Sequence, residues 1–333
     1  MVAPLNWGLG HATRCIPIIN ALLQCKHTPI IGSNGEALAL LRKEFPFLEY
    51  VELPSYHISY AKKGKNFKLK IIWDSPKIIK AISEEKKLLK KLVSTLRLDG
   101  VISDNRLGLH NKKIPCIFIT HQLNVLSGNT TWMSSKMHQK ILKKFTECWV
   151  PDVEEQPNLS GKLGHLKKWD PHIHYIGPLS RFTKKDMTKM YDLMVLISGP
   201  EPQRTMLEEK LTRELTGFRG KIVLIKSVVE KQQRSSTKVT ATNSITSYNF
   251  MTSKQLQIAF NESEVVLCRS GYTTIMDLAK LEKKAFFIPT PGQYEQEYLA
   301  KRLQKHGVAP YSNQDNFKIQ MLGELRYYAG LTN

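Results

Sequence analysis

The sequence has no apolar run approaching about 18 residues, so no transmembrane helix is expected. It has no C-x-x-C pair either. Its five cysteines (Cys15, Cys25, Cys116, Cys148 and Cys268) are scattered and odd in number. That argues against a zinc site or a disulfide framework and points to reduced thiols in the cytoplasm. The opening Met1-Val2-Ala3-Pro4-Leu5 lacks the basic and apolar regions of a signal peptide, and none is expected. Acids are scarce, with 29 Asp+Glu against 49 Lys+Arg, a formal net charge of +20. Such an excess calls for an anionic partner, and nucleic acid is the reflex reading. No RNP, KH, zinc-finger or helix-turn-helix pattern supports it, so nucleic acid is not the expected partner. A phosphate-bearing substrate or an anionic membrane surface fits the charge equally well.

What is present is globular. Hydrophobic residues at 41% and charged residues at 23%, in 333 positions, suit two domains of ordinary size, each with its own core. Short β-rich apolar runs alternate with amphipathic stretches throughout, the pattern of parallel-sheet α/β domains. In the first half the spacing predicts strands at Thr28–Ser33, Leu48–Leu53, Gly100–Ser103, Cys116–Thr120 and Cys148–Val150. Helices are expected at Ala12–Leu23, Glu36–Glu44, Pro76–Leu96 and Met133–Lys144. A strand at Tyr175–Leu179 ends in a Gly-Pro break before the polar segment Thr183–Thr188, which places the domain boundary there: 1–180 and 181–333.

The second half restarts the rhythm, with strands at Leu193–Ser198, Lys221–Lys226, Val265–Cys268 and Ala285–Ile288. Helices are expected at Arg204–Leu215, Thr273–Leu281 and Glu295–Lys305. Two doubly wound domains in series would present the carboxyl ends of both sheets at a shared crevice, where ligands of such folds bind. The first strand has only about four residues before its glycine turn, so the protein's own start is expected upstream of Met1.

Gly8-Leu9-Gly10-His11-Ala12-Thr13-Arg14 follows that strand and opens a helix. Glycines allow a tight turn and close approach to a ligand, and a helix N-terminus offers N–H groups to an anion. The third glycine of a dinucleotide fingerprint is missing, because position 13 is Thr. A His after the turn and an Arg three residues on are the unusual features; a structural turn with a His cap is the alternative. Gly-x-Gly-His-x-x-Arg resembles the opening of MurG-type and related GT-B glycosyltransferases, and of the nucleotide-sugar hydrolases of nonulosonate synthesis. The resemblance implies that His11 lies near an acceptor hydroxyl and serves as its base.

The second half carries the more specific match. Arg269-Ser270-Gly271-Tyr272-Thr273-Thr274-Ile275-Met276-Asp277 resembles the R-S-G-x-x-T-x-x-E segment of the MurG-type C-terminal domain. A strand, a Ser-Gly turn and a helix start with Thr hydroxyls suit a diphosphate. In the family a Glu binds the ribose hydroxyls of a uridine nucleotide; here Asp277, one methylene shorter, stands in that place. Pro289 to Glu297 resembles the family's loop ending in an acid-Gln or Gln-Gln pair, which implies Glu295 and Gln296 as contacts to the donor sugar. Glu297 occupies the family's second Gln position. Ser198-Gly199-Pro200-Glu201-Pro202-Gln203-Arg204 stands where the family has a Gly-Gly-Ser type phosphate loop; its two prolines depart from that pattern and leave Ser198 and Arg204 as the phosphate contacts.

Asp104 falls at the carboxyl end of a strand, on the crevice side expected for His11. Some plant glycosyltransferases orient the catalytic His with an Asp on the corresponding strand, and a carboxylate on one imidazole nitrogen leaves the other able to accept a proton. A simple loop cap is the equal alternative. Thr120-His121-Gln122 ends the next strand and is placed on the acceptor side. His165, His172 and His174 read as loop residues, because no carboxylate or thiolate keeps ligand spacing with them.

No Asp-x-Asp occurs, the motif that holds a divalent metal in the other major glycosyltransferase fold, so no metal and no cofactor are expected. Helix ends and Arg would neutralise the diphosphate instead. From Ala61 to Leu92 eleven lysines face three acids, with Phe67, Ile71, Ile72, Trp73, Ile78 and Ile79 interleaved. That mixture suits an anionic leaflet, or else a solvated helix whose apolar face belongs to the core.

The expectation is therefore a GT-B α/β protein, two doubly wound Rossmann-like domains facing across a cleft. Its expected activity is inverting, metal-independent transfer from a UDP-sugar to a lipid-linked or other membrane-associated acceptor. It would act in the cytoplasm, peripheral on the inner face of the membrane. A nucleotide-sugar hydrolase or epimerase on the same fold is the second reading, and a basic adaptor for RNA or membrane a third.

Overall fold

A computed structural model describes residues 1–56, 67–125, 131–228, 230 and 232–331, with backbone alone at 67–76 and 133. One compact unit begins at Met1 and ends at Arg181, and a second runs from Phe182 onward.

The first unit holds seven parallel strands: β1 Val2–Pro4, β2 Ile31–Ser33, β3 Tyr50–Glu52, β4 Val101–Asp104, β5 Cys116–Ile119, β6 Glu147–Val150 and β7 Ile173–Tyr175. Their order is β3-β2-β1-β4-β5-β6-β7, so the chain reverses its direction of travel between β1 and β4. At such a switch the two loops leaving the strands diverge and open a crevice. The helices between them are α1 Leu9–Gln24, α2 Gly35–Glu44, α3 Phe67–Thr95 and α4 Thr131–Leu142. α1 is helical because Ala12, Cys15, Ile16 and Ile19 repeat at helical spacing. That face packs on Val2 and Ile31 of the sheet and on Ala37, Leu38 and Leu41 of α2. The strand expected at Tyr175–Leu179 is in fact Ile173–Tyr175. Gly177, with φ 76°, turns the chain just beyond it.

The second unit holds β8 Tyr191–Leu196, β9 Gly220–Ile225, β10 Ser235–Val239, β11 Asn243–Tyr248, β12 Ser263–Cys268 and β13 Lys284–Phe287. The order is β10-β11-β9-β8-β12-β13, parallel except for the β10–β11 pair. Here the switch lies between β8 and β12. The helices are α5 Gln203–Glu214, α6 Ser253–Glu262, α7 Tyr272–Lys280 and α8 Tyr294–Lys305. Leu193, Val195 and Ile197 from the β8 region pack with Leu207, Leu211 and Leu215 from the α5 region in the core.

Of the basic stretch at 61–92, residues 61–66 lie outside the described residues, as do the side chains of 67–76. From Lys77 onward α3 turns Ala81, Glu85, Leu89 and Leu92 inward and leaves Lys77, Lys80, Lys86, Lys87, Lys90 and Lys91 exposed. Ile79 remains exposed as well. No helix among the described residues is long and apolar enough to cross a membrane.

Candidate active site

The first unit gathers ionisable groups at its switch point. Gly8 adopts φ 77°, a left-handed conformation that an L side chain resists, and so turns the chain from β1 into α1. Gly10 and His11 then lie in the first turn of α1. The register pairs Pro4 of β1 with Asp104 of β4, which brings the two strand ends side by side. His11 Nδ1 stands 2.8 Å from Asp104 Oδ1. Arg14, one turn further along α1, forks onto the same carboxylate: Nε donates to Oδ2 at 2.5 Å and Nη2 to Oδ1. Its Nη1 lies 3.0 Å from His121 Nδ1, at the end of β5. Cys15 Sγ donates to Asp104 Oδ2 at 3.7 Å.

Burial sets the electrostatics. Asp104 is fully buried, Arg14 is 2% exposed and the His11 side chain is 14% exposed. Burial alone would raise the Asp104 pKa, but Arg14 and then His11 outweigh it and hold the carboxyl well below its ordinary range. His11 is pushed below the ordinary histidine value, chiefly by burial; Asp104 opposes that shift and Arg14 adds to it. The Cys15 thiol is pushed up by burial and by Asp104, so it stays protonated. The result is a neutral imidazole beside a compensated Arg–Asp pair.

Sequence reasoning noted Arg14 but gave it no partner, and it placed His121 on the acceptor side rather than against Arg14. It also missed a second buried network that supports the first. Arg106 donates through Nε to Pro4 O (2.9 Å) and through Nη1 to Glu85 Oε1 (2.6 Å) and Pro54 O (3.0 Å). Nη2 donates to Asn34 Oδ1 at 2.5 Å. Tyr56 Oη donates to Glu85 Oε2 at 2.7 Å. The ends of β1 and β4 are thereby tied to α3 and to the loop after β3. A buried arginine with a carboxylate far away in sequence leaves no local signal.

In the second unit three loops meet at the carboxyl ends of β8, β12 and β13. Arg269, the first residue of the motif, is 1% exposed and holds the loops together from within. Nη1 donates to Ile288 O (3.1 Å) and Pro289 O (3.0 Å), and Nη2 to Gln203 O (3.0 Å) and Gln314 Oε1 (2.7 Å). Burial without a carboxylate partner pulls its pKa down to about 9. Ser270 is buried and donates to Gln296 O at 2.8 Å. The Gln296 side chain is also turned inward, accepting from Thr290 N at 2.8 Å and donating to Gln293 Oε1 at 2.6 Å. Arg204 is ion-paired with Glu201 and, at 3.8 Å, with Glu208.

Gly271 caps α7 with extended backbone, and Thr273 and Thr274 lie half-buried in its first turn. Asp277 follows, buried on the same helix. Ser198 is half-buried just beyond β8, and Glu295 is half-buried in the first turn of α8.

His165 stacks on Tyr175 with ring centroids 4.8 Å apart, and His172 pairs with Asp170. His174 is in β7 rather than in a loop. Among the described residues no group of three or more His, Cys, Asp or Glu is placed to hold a metal ion.

Residues 204–325 match the glycosyltransferase family 28 C-terminal domain. A UDP-N-acetylglucosamine--N-acetylmuramyl-(pentapeptide) pyrophosphoryl-undecaprenol N-acetylglucosamine transferase from Glaesserella parasuis serovar 5 is 25% identical over 266 residues, covering 78% of this chain and 70% of the relative. The enzyme of the same name from Haemophilus ducreyi is 22% identical over 250 residues, covering 74% of this chain and 67% of the relative. Among solved structures, MurG of Acinetobacter baumannii superposes with a TM-score of 0.56 at 14% identity, covering 98% of this chain and 88% of the other. The kitacinnamycin glycotransferase gives a TM-score of 0.64 at 13% identity, covering 97% and 88%. The chain is a glycosyltransferase of GT-B fold, resembling the MurG type, whose second unit carries a family 28 C-terminal domain.

Proposed function

We propose that this chain transfers a sugar from a UDP-sugar to a lipid-linked or other membrane-associated acceptor, with inversion and without a metal, at the cytoplasmic face of a membrane. The His11–Asp104 contact of 2.8 Å carries the reading. An acceptor hydroxyl is a poor nucleophile until a base takes its proton. In a single displacement its oxygen bonds to the anomeric carbon as the bond from that carbon to the diphosphate oxygen breaks. The electron pair leaves with UDP, the proton passes to His11 Nε2, and the configuration inverts. Asp104 holds the Nδ1 proton and so keeps Nε2 the accepting nitrogen.

The leaving diphosphate suits the start of α7, where the helix dipole and the hydroxyls of Thr273 and Thr274 lie. Asp277 is assigned to the ribose hydroxyls, and Glu295 to the donor sugar. This donor site needs no metal, because the helix end supplies the positive field. The acceptor class rests on the two relatives, whose names specify an undecaprenol-linked acceptor, and on the lysine-rich α3.

The test is UDP release from a panel of UDP-sugars, with and without polyprenyl-diphosphate-linked sugar acceptors, in buffer containing a chelator. The reading expects release that requires acceptor and survives chelation, and a product anomer opposite to the donor's. Equal loss of UDP-sugar without acceptor would replace transfer by hydrolysis or epimerisation. Failure of every uridine nucleotide to raise the thermal midpoint would remove both.

A further inference from the structure

Arg14 touches two histidines of this cluster, His11 and His121, and its chemistry bears on where their protons sit. A guanidinium carries five donors and no acceptor. Arg14 Nη1 lies 3.0 Å from His121 Nδ1, so that nitrogen must bring a lone pair. His121 is then neutral, with its proton on Nε2. His11 is the reverse case. Its Nδ1 stands 2.8 Å from an oxygen of Asp104, and an ionised carboxylate only accepts. Arg14 Nη2 is also 2.9 Å from that Nδ1; it carries two hydrogens and gives one to Asp104 Oδ1, so Nη2 and the carboxylate compete for Nδ1. The charge-assisted N–H···O⁻ bond is the stronger claim on Nδ1. His11 therefore carries its proton on Nδ1 and leaves Nε2 bare.

We propose that Arg14 is a positioning residue that fixes His121 in the tautomer opposite to the one Asp104 fixes in His11, so that one cluster offers a proton acceptor at His11 Nε2 and a hydrogen-bond donor at His121 Nε2. Its catalytic consequence rests on the base reading above; the tautomers do not. The charged and titratable groups facing His11 are Asp104, Arg14 and His121, with the Cys15 thiol against Asp104. Arg14 also offsets the pull of Asp104 on the His11 proton. Burial first, and Arg14 after it, keep His11 neutral, and removing the guanidinium should make it more basic.

The experiment is two-bond 1H–15N correlation on histidine-labelled full-length protein at pH 7.5, with the ten imidazoles sorted by His11→Gln and His121→Gln. The expected spectrum shows His11 protonated on Nδ1 alone and His121 on Nε2 alone. In Arg14→Met the His121 signature should become a tautomer mixture, and the His11 titration midpoint should rise. Arg14→Lys keeps the charge without the fork; it should release His121 while leaving His11 neutral, and it carries the test where Arg14→Met does not fold. A merely structural arginine would move neither signature. His121 protonated on Nδ1, or on both nitrogens, in the wild type would overturn the proposal. So would unchanged signatures in both Arg14 variants. Normal turnover by His11→Ala would instead overturn the base reading and leave these spectra as they are, so the two failures are told apart.

Discussion

Replacing Asp104 with Asn removes one charge and almost no volume, so its effect isolates the electrostatics of the cluster. Asp104 is fully buried and receives the Arg14 fork, His11 Nδ1 and the Cys15 thiol. With Asn in its place the 2%-exposed Arg14 keeps its charge but loses its counterion. Breaking a buried pair from one side costs about 3–5 kcal/mol, because an uncompensated charge stays behind. For a unit of this size each kcal/mol moves the midpoint by roughly 2–4 °C, which gives a fall of roughly 6–20 °C. The assay is thermal unfolding followed by circular dichroism and calorimetry, at neutral pH and at pH 3. The folded-state pKa of Asp104 is depressed, so its stabilising contribution is present above the unfolded carboxyl value and is lost as pH falls through the folded one. The gap between wild type and variant should therefore shrink in acid. The double variant Arg14→Met/Asp104→Asn removes both charges and should recover most of the loss, since an apolar replacement of a buried pair is often neutral. A fall of less than about 2 °C in the single variant, or a double variant as unstable as the sum of the singles, would refute the reasoning.

His11→Ala should lower turnover by roughly 10²–10⁴-fold, the contribution of a positioned base, with UDP affinity from calorimetry unchanged. Because burial pushes the His11 pKa below 6.5, the acid limb of the wild-type kcat/KM profile should have its midpoint below that value. A midpoint at or above it would point to another group. Asp277→Ala should weaken UDP roughly ten- to a hundred-fold, about 1.5–3 kcal/mol for a hydrogen bond to a charged acceptor, and unchanged affinity in the folded variant would remove the ribose assignment. Lys68→Glu, Lys70→Glu and Lys77→Glu together should abolish salt-sensitive retention on anionic liposomes and spare UDP binding; retention that persists would make this stretch an ordinary solvated helix face.

The alternation of strands and helices was legible because each element carries its own period, as Ala12, Cys15, Ile16 and Ile19 do in α1. The stretch that pattern reading passed over lies between β9 and β12. β10 is fully exposed and at the sheet edge, so no buried face imposes alternation on its Ser-Ser-Thr-Lys-Val run. α6 did carry a signal: Thr252 and Gln255 form a capping box. At the donor loops the Arg269–Asp277 motif located the site, yet it did not reveal that Arg269, Ser270 and Gln296 turn their polar atoms inward. The Arg204 pairing could have been read, because Glu201 and Glu208 sit three and four residues away, within reach on a helix start.

By itself the sequence determined the α/β class, the two glycine turns and the types of side chain that line them, since these depend on local period and turn chemistry. Only the tertiary structure decided which of those side chains meet. His11 and Asp104 are 93 positions apart, and they touch because β1 and β4 are neighbours at the switch of the first sheet. The roles of Arg14 and Arg269 separate for a related reason. A buried guanidinium must spend its donors on whatever acceptors the fold brings to it: a carboxylate and an imidazole in the first unit, three backbone carbonyls and an amide oxygen in the second.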